Sequence, residues 1–170
     1  MSVTLTTDRL TLRKPELRDL DAIVVFYQQE RSKFVGGPMG HGPAWRQYAA
    51  EVGHWELLGF GLWAVTITAT DELVGLVGPW FPGDWPETEI GWLMLEGHEG
   101  QGYATEAARA AVDDAYLRLG WDTAVSYIDP LNAASIAVAD RLGAVLDPDA
   151  PQPKPDHPCL VYRHPKVTAV

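Results

Sequence analysis

The residues best placed to do chemistry are Gly97, Gly100 and Gly102, crowded between an apolar run and an alanine-rich one. The stretch runs Glu89-Ile-Gly-Trp-Leu-Met-Leu-Glu-Gly-His-Glu-Gly-Gln-Gly-Tyr-Ala-Thr-Glu-Ala-Ala-Arg-Ala110. A helix beginning just after such a loop offers unpaired backbone N–H groups and the positive end of its dipole, which suits an anion such as a phosphate. Glycine lets that backbone approach a ligand with no Cβ in the way. The same glycines could instead make only a tight strand-to-helix turn, and their spacing leaves both readings open.

Several elements must position this loop. Thr88–Leu95 is apolar and short, as a buried strand would be. From Ala104 the apolar positions Ala104, Ala107, Ala108, Ala111, Val112, Ala115, Tyr116 and Leu119 form one helical stripe. Upstream, Leu10–Arg13 reads as a strand. Pro15–Asp19 opens a helix carrying Leu20, Ile23, Val24 and Tyr27. Phe34–Pro43, rich in glycine and proline and including His41, reads as a loop. Ala44–Leu58 is expected as a second helix with Trp45, Tyr48, Val52 and Trp55 on one side, ended by Gly59-Phe60-Gly61.

Leu62–Thr68 and Leu73–Gly78 read as a hairpin turned at Ala69–Glu72. Trp80–Pro86 is an aromatic, proline-rich loop. Thr123–Ile128 is a further strand. Asn132 caps a helix running through Ile136 and Leu142 to Gly143. Residues 147–158 are proline-rich and irregular, and Leu160–Arg163 is a last short strand. This order predicts a single mixed α/β (α+β) domain over residues 1–170, with no internal repeat and no linker.

Composition narrows the function classes. A hydrophobic content of 46% in 170 residues supports a sizeable core. A net charge of −10 with no Lys/Arg run argues against nucleic acid and favours a cationic partner, or simply gives solubility. No apolar run is long enough to span a bilayer and no secretion signal opens the chain. Cys159 is the only cysteine, which fits a reducing cytoplasm. The five histidines show no metal-ligand spacing, so no metal site is expected.

Three pieces together resemble the GNAT superfamily of acyl-CoA-dependent N-acetyltransferases, and within it the ribosomal-protein alanine acetyltransferase branch. They are Thr6-Thr-Asp-Arg-Leu-Thr-Leu-Arg13; Glu89-Ile-Gly-Trp-Leu with Gly100-Gln-Gly-Tyr-Ala-Thr-Glu-Ala107; and Asn132-Ala-Ala-Ser135 with Arg141-Leu-Gly143. The resemblance covers roughly residues 9–146. It implies a GNAT-like fold, a mixed and mostly antiparallel sheet of about six to seven strands flanked by about four helices.

The resemblance also implies the site. Gly100, Gln101, Gly102, Tyr103, Ala104 and Thr105 would hold the pyrophosphate of acetyl-CoA, with Asn132 contributing. The central strand would splay from its neighbour, and the pantetheine arm would lie against the backbone of Leu93, Met94 and Leu95. Glu99 and Gln101 depart from the family pattern, in which the first is usually Gln or Arg and the second often Lys. A carboxylate at Glu99 should repel a pyrophosphate unless it swings outward.

The implied reaction is attack of a neutral primary amine, on a small molecule or a peptide, on the thioester. An alkyl amine has a pKa of about 10.4, so it must first lose a proton. Glu89 stands where several family members place a glutamate for this task, and Glu87 should face the same side. Glu89 could equally serve only a structural contact. The tyrosine that many members use as an acid toward the thiolate is replaced by Ala139, which leaves Ser135. An N–H near Met94 or Leu95 would meet the oxyanion. Phe34, Trp80, Trp85, Glu87 and Ser126 would line the acceptor pocket, and the aromatic loop could pack against a second copy in a homodimer.

Two other readings fit some of these residues. A GNAT-fold module that binds acyl-CoA without turnover would explain Glu99 and the missing tyrosine. A dinucleotide-binding oxidoreductase would use Gly100 and Gly102, but the fingerprint needs a glycine or alanine where Thr105 stands, and an acid after the next strand where Asp122 precedes it.

Overall fold

A computed structural model describes residues 3–168. Eight strands form one sheet in the order β1-β2-β3-β4-β5-β6-β8-β7. They are β1 (Leu5–Thr6), β2 (Leu10–Arg13), β3 (Trp63–Ile67), β4 (Leu73–Trp80), β5 (Glu89–Met94), β6 (Val125–Ile128), β7 (Val145–Leu146) and β8 (Leu160–Arg163). All neighbours are antiparallel except β5 and β6. The helices are α1 (Leu20–Gln28), α2 (His41–Leu58), α3 (Tyr103–Leu117) and α4 (Ala133–Arg141). Among the described residues, no helix is long and apolar enough to cross a membrane.

The two faces of the sheet are covered by different helices. On one, α3 packs Ala107, Ala108, Ala111 and Ala115 against Leu10, Leu12, Val65 and Ile90. Alanines leave no bulk between helix and sheet, so the loop before α3 is held close to β5. On the other, α1 and α2 pack Ile23, Tyr27 and Tyr48 against Ala64, Leu76 and Leu93. Within β5, alternation therefore sends Ile90 to the α3 side and Leu93 to the α1–α2 side.

The elements differ from the sequence expectation in instructive places. The first helix opens as a 3-10 turn, Leu17–Asp19, because Asp19 accepts the Glu16 N–H (2.8 Å) and both ends of the Arg13 fork (2.8 Å each). The expected Phe34–Pro43 loop is shorter. Glu30–Val35 is a 3-10 turn and α2 already begins at His41. Pro43 is the third helical residue, where a missing N–H costs nothing. Trp45 is 48% exposed, while Glu51 is fully buried. The inward face of α2 thus runs through Tyr48, Glu51 and Trp55. Trp80 closes β4 instead of opening the next loop.

One feature of the sheet positions the site. β5 and β6 share a single register pair, Glu89 with Val125. Beyond it the two parallel strands diverge, and among the described residues no strand pairs with that edge of β5 through Trp92 and Met94.

Candidate functional site

The loop before α3 leaves backbone N–H groups open, an arrangement whose chemistry suits an anion. Gly102 caps the helix with φ +79°, and no side chain caps the first N–H groups. Tyr103, Ala104 and Thr105 therefore present N–H groups with no partner inside the helix. The hydroxyl of Thr105 is buried without a hydrogen-bond partner among the described residues. The loop is held from behind. Arg9 donates Nη1–H to the Gln101 carbonyl (2.9 Å) and pairs with Glu106 (2.7 Å), which also accepts the Thr7 hydroxyl (2.6 Å). A Cβ on Gly102 would lie 3.4 Å from Arg9 Nη2 in addition to straining the left-handed backbone.

These groups face a cavity of about 1160 Å³ lined by Met94, Gly100, Gly102, Thr105, Asn132 and Ser135, with the cations Arg31, Arg109 and Arg141 also in its wall. Tyr103 and Ala104 line it too, whereas Gln101 does not: its carbonyl is held by Arg9 and its side chain turns back toward the Gly97 carbonyl (3.4 Å). Glu99, expected to oppose a phosphate, is occupied. Its carboxylate pairs with Arg31 and accepts the Gly97 N–H (3.0 Å).

The backbone of β5 alternates between its two neighbours. Leu95 donates its N–H to the Val74 carbonyl on the β4 side (2.9 Å). By alternation, Leu93 also turns to β4, and only Trp92 and Met94 turn to the gap. This corrects the expectation for Leu93 and Leu95, whose backbone groups are not available there. The Met94 carbonyl accepts a bond from Arg31 Nη1 (3.2 Å).

A second cavity, about 900 Å³, lies on the α1–α2 side and includes Glu89, Trp80, Trp85 and Glu51. The two cavities share Phe34, Val35, Trp92, Leu93, Asn132 and Ser135 as lining residues. Ser135 is the hydroxyl at this junction. Its Oγ accepts the Trp92 indole N–H (3.1 Å), leaving its own proton free, and its N–H is held by the Asn132 side chain (3.1 Å).

Glu89 accepts the Trp85 indole N–H at 2.6 Å. Burial pushes its carboxyl up to about 7, against the opposing N–H groups of Trp85 and the Tyr127 backbone. Gly91 shares its face of the strand. A Cβ there would stand at 3.8 Å from both Glu89 Oε1 and Leu62, so the absence of a side chain keeps the floor beside Glu89 open. Trp80, at the end of β4, stacks on His54 (4.5 Å), and it lines this cavity together with Trp85 from the following loop.

Of the expected acceptor contacts, Ser126 lines the second cavity with its hydroxyl engaged inside the sheet, whereas Glu87 sits elsewhere. Glu87 is bound by both arms of the Arg163 guanidinium (2.8 and 3.1 Å) and lines neither cavity. Ser126 is buried. Its hydroxyl donates to the Ile90 carbonyl (2.7 Å) and accepts from His164 Nε2 (2.8 Å), bracing β6 against β5. Burial holds His164 down near 4, so it is neutral.

Two contributors were not anticipated. Arg31 reaches the loop from 68 positions away, and no local pattern marks it. Glu51 did leave a signal, since it falls three residues after Tyr48 and four before Trp55, inside an apolar stripe. Burial pushes its carboxyl up to about 7.

The family described as the acetyltransferase (GNAT) domain matches residues 9–145. An acetyltransferase from Agrobacterium tumefaciens str. C58 is 41% identical, with a TM-score of 0.90 over 96% of this chain and 95% of its own. The uncharacterized protein YkkB of Bacillus subtilis is 37% identical over 50% of this chain and 51% of its own length, so the chain spans about half of that relative. The uncharacterized N-acetyltransferase p20 of Bacillus licheniformis is 28% identical over 82% of this chain and 80% of its own. RimL, a ribosomal L7/L12 alpha-N-protein acetyltransferase solved in complex with coenzyme A, shares the fold at 16% identity, with a TM-score of 0.72 over 95% of this chain and 96% of its own.

Proposed function

Since this chain belongs to the GNAT acetyltransferase family, we propose that it moves an acetyl group from acetyl-CoA to a primary amine by direct attack. The observation that carries this reading is the meeting of the two cavities at Ser135 and Trp92, with Glu89 in the wall of the second. The family's donor, acetyl-CoA, supplies a thioester carbonyl open to attack by an amine.

This chain's residues suit both reactants. The N–H groups of residues 103–105, the unpartnered Thr105 hydroxyl and the cations Arg109 and Arg141 suit the phosphates of the donor. The gap beside Trp92 and Met94 gives its extended arm a strand edge to pair with. Glu89 takes the proton from the incoming amine. A carboxyl near 7 is half ionised at neutral pH and is a much stronger base than an ordinary glutamate. The Met94 N–H faces the carbonyl oxygen as charge builds on it. The free proton of Ser135 is available to the departing sulfur.

The test is acetyl-CoA titration followed by a panel of primary amines, read by release of free thiol. Saturable binding with thiol release that depends on an amine is expected. A folded protein that binds acetyl-CoA but transfers to no amine would instead be an acyl-CoA-binding module.

A further inference from the structure

The acceptor cavity contains a second carboxyl that the transfer itself does not use. Glu51 is fully buried in α2 and lines this cavity. Its Oε1 accepts the Tyr27 phenol (2.5 Å) and the Gln47 amide (3.2 Å). Its Oε2 has no partner, and no lysine or arginine pairs with it among the described residues. The cavity's two lysines are engaged elsewhere. Lys33 lies over the Phe34 ring (5.1 Å) and Lys154 over Trp85 (5.8 Å).

A buried carboxyl oxygen without a donor is unfavourable unless something in its cavity supplies one. Around it, Phe34, Trp80, Trp85 and Trp92 offer apolar walls and ring faces that suit an alkyl chain ending in a cation. We propose that Glu51 Oε2 receives a cationic amino group of the acceptor, remote from the amine that is acetylated, so that the acceptor belongs to the diamine class. The inference rests on the acetyl-transfer reading above. Glu89 takes the proton at the reacting amine, while Glu51 holds the other amine as an ammonium. A monoamine of equal length leaves Oε2 unpaired. An amino acid brings a carboxylate into a cavity already lined by Glu51, Asp84, Glu89, Asp129 and Asp156. Both are discriminated against by what they fail to satisfy.

The experiment compares α,ω-diamines of increasing length with monoamines of matched length. Thiol release gives kcat/KM with acetyl-CoA, and calorimetry gives amine binding to the coenzyme A complex. We expect the best diamine to exceed its matched monoamine by about 30-fold or more in kcat/KM. Glu51→Gln should abolish that preference while leaving the monoamine within about threefold and coenzyme affinity unchanged. Glu51→Asp withdraws the carboxylate by one methylene and should move the optimum to a longer diamine. This second variant decides the matter if the Gln variant does not fold. Equal use of diamine and monoamine by the wild type, or an unchanged preference in the folded variants, overturns the proposal. If no amine is acetylated, the transfer reading fails alone. The calorimetric arm then still decides, because diamine binding lost in Glu51→Gln supports the site and binding retained refutes it.

Discussion

Trp85 and Glu89 are joined by a 2.6 Å hydrogen bond from the indole N–H to Oε2, and with this bond in place burial still raises the carboxyl to about 7. The donor favours the carboxylate and so restrains the rise. A general base works in its ionised form, so kcat/KM should climb with pH toward a plateau, with its midpoint near 7. Glu89→Gln should cost about 10²-fold or more in kcat with little change in acetyl-CoA affinity. Trp85→Phe removes the restraining donor and should move the midpoint upward. A pH–rate profile reads both, and an unchanged rate in Glu89→Gln would remove it as the base.

Ser135 accepts from Trp92 and keeps its own proton. A thiol is already a fair leaving group, with a pKa of about 8.5, so an acid assists without deciding the outcome. Ser135→Ala should therefore lower kcat by roughly tenfold. An unaltered kcat in single-turnover experiments would leave the serine as a helix-start hydroxyl only.

Arg31 neutralises Glu99 beside the loop before α3. Arg31→Ala would leave that carboxylate facing the phosphates and should weaken acetyl-CoA binding by about 1–2 kcal/mol. Glu99→Gln should change affinity by no more than about 1 kcal/mol, because its charge is already paired at a partly exposed site. Calorimetric titration separates the two. Equal losses would mean that Glu99 is not shielded.

Gly91 leaves the floor beside Glu89 open. Gly91→Ala puts a methyl at ordinary contact distance and should be tolerated. Gly91→Leu should fill that space and raise the acceptor KM at least tenfold, leaving acetyl-CoA affinity intact. Loss of coenzyme binding in Gly91→Leu would place Gly91 in the donor site rather than the acceptor site.

Glu51 should mark the stability profile. Its folded value is about 7 against an ordinary 4.5, so between those pH values the native chain holds a proton that the unfolded chain has released. Its contribution is fully present below 4.5 and is lost as pH rises through 7. Glu51→Gln should thus gain up to about 3 kcal/mol relative to the wild type between pH 4.5 and 8. His164 acts in the opposite sense. Its folded value near 4 lies below its ordinary 6.5, so its contribution is lost as pH falls from 6.5 toward 4. Urea unfolding of both proteins at each pH isolates the Glu51 difference, and a flat difference would refute the buried ionisation.

What the sequence conveyed depended on how local each cause was. Leu10–Arg13 and Leu160–Arg163 were legible to the residue, since a short apolar alternation is complete within itself. The α3 stripe and its glycine loop were nearly as plain, although the helix ends at Leu117 and the expected Leu119 lies beyond it. Leu5–Thr6 and Val145–Leu146 were not, because two residues carry no periodicity and each exists only against its partner strand. His41–Pro43 looked like loop because Gly42 and Pro43 usually break structure, yet a first turn tolerates both. Glu87 was assigned to the acceptor because its ion partner, Arg163, lies 76 residues away. The face of α2 was read from Trp45 rather than Glu51, since hydrophobicity alone does not anticipate a buried acid.

The single register pair between β5 and β6 also has a signature in amide exchange with solvent deuterium. The N–H groups of Trp92 and Met94 belong to a central strand, yet among the described residues no strand carbonyl lies opposite to retain their protons. They should exchange sooner than those of Leu93 and Leu95, their neighbours on the same strand. An extended molecule laid into the gap would reverse that order, so these two amides would report occupancy residue by residue.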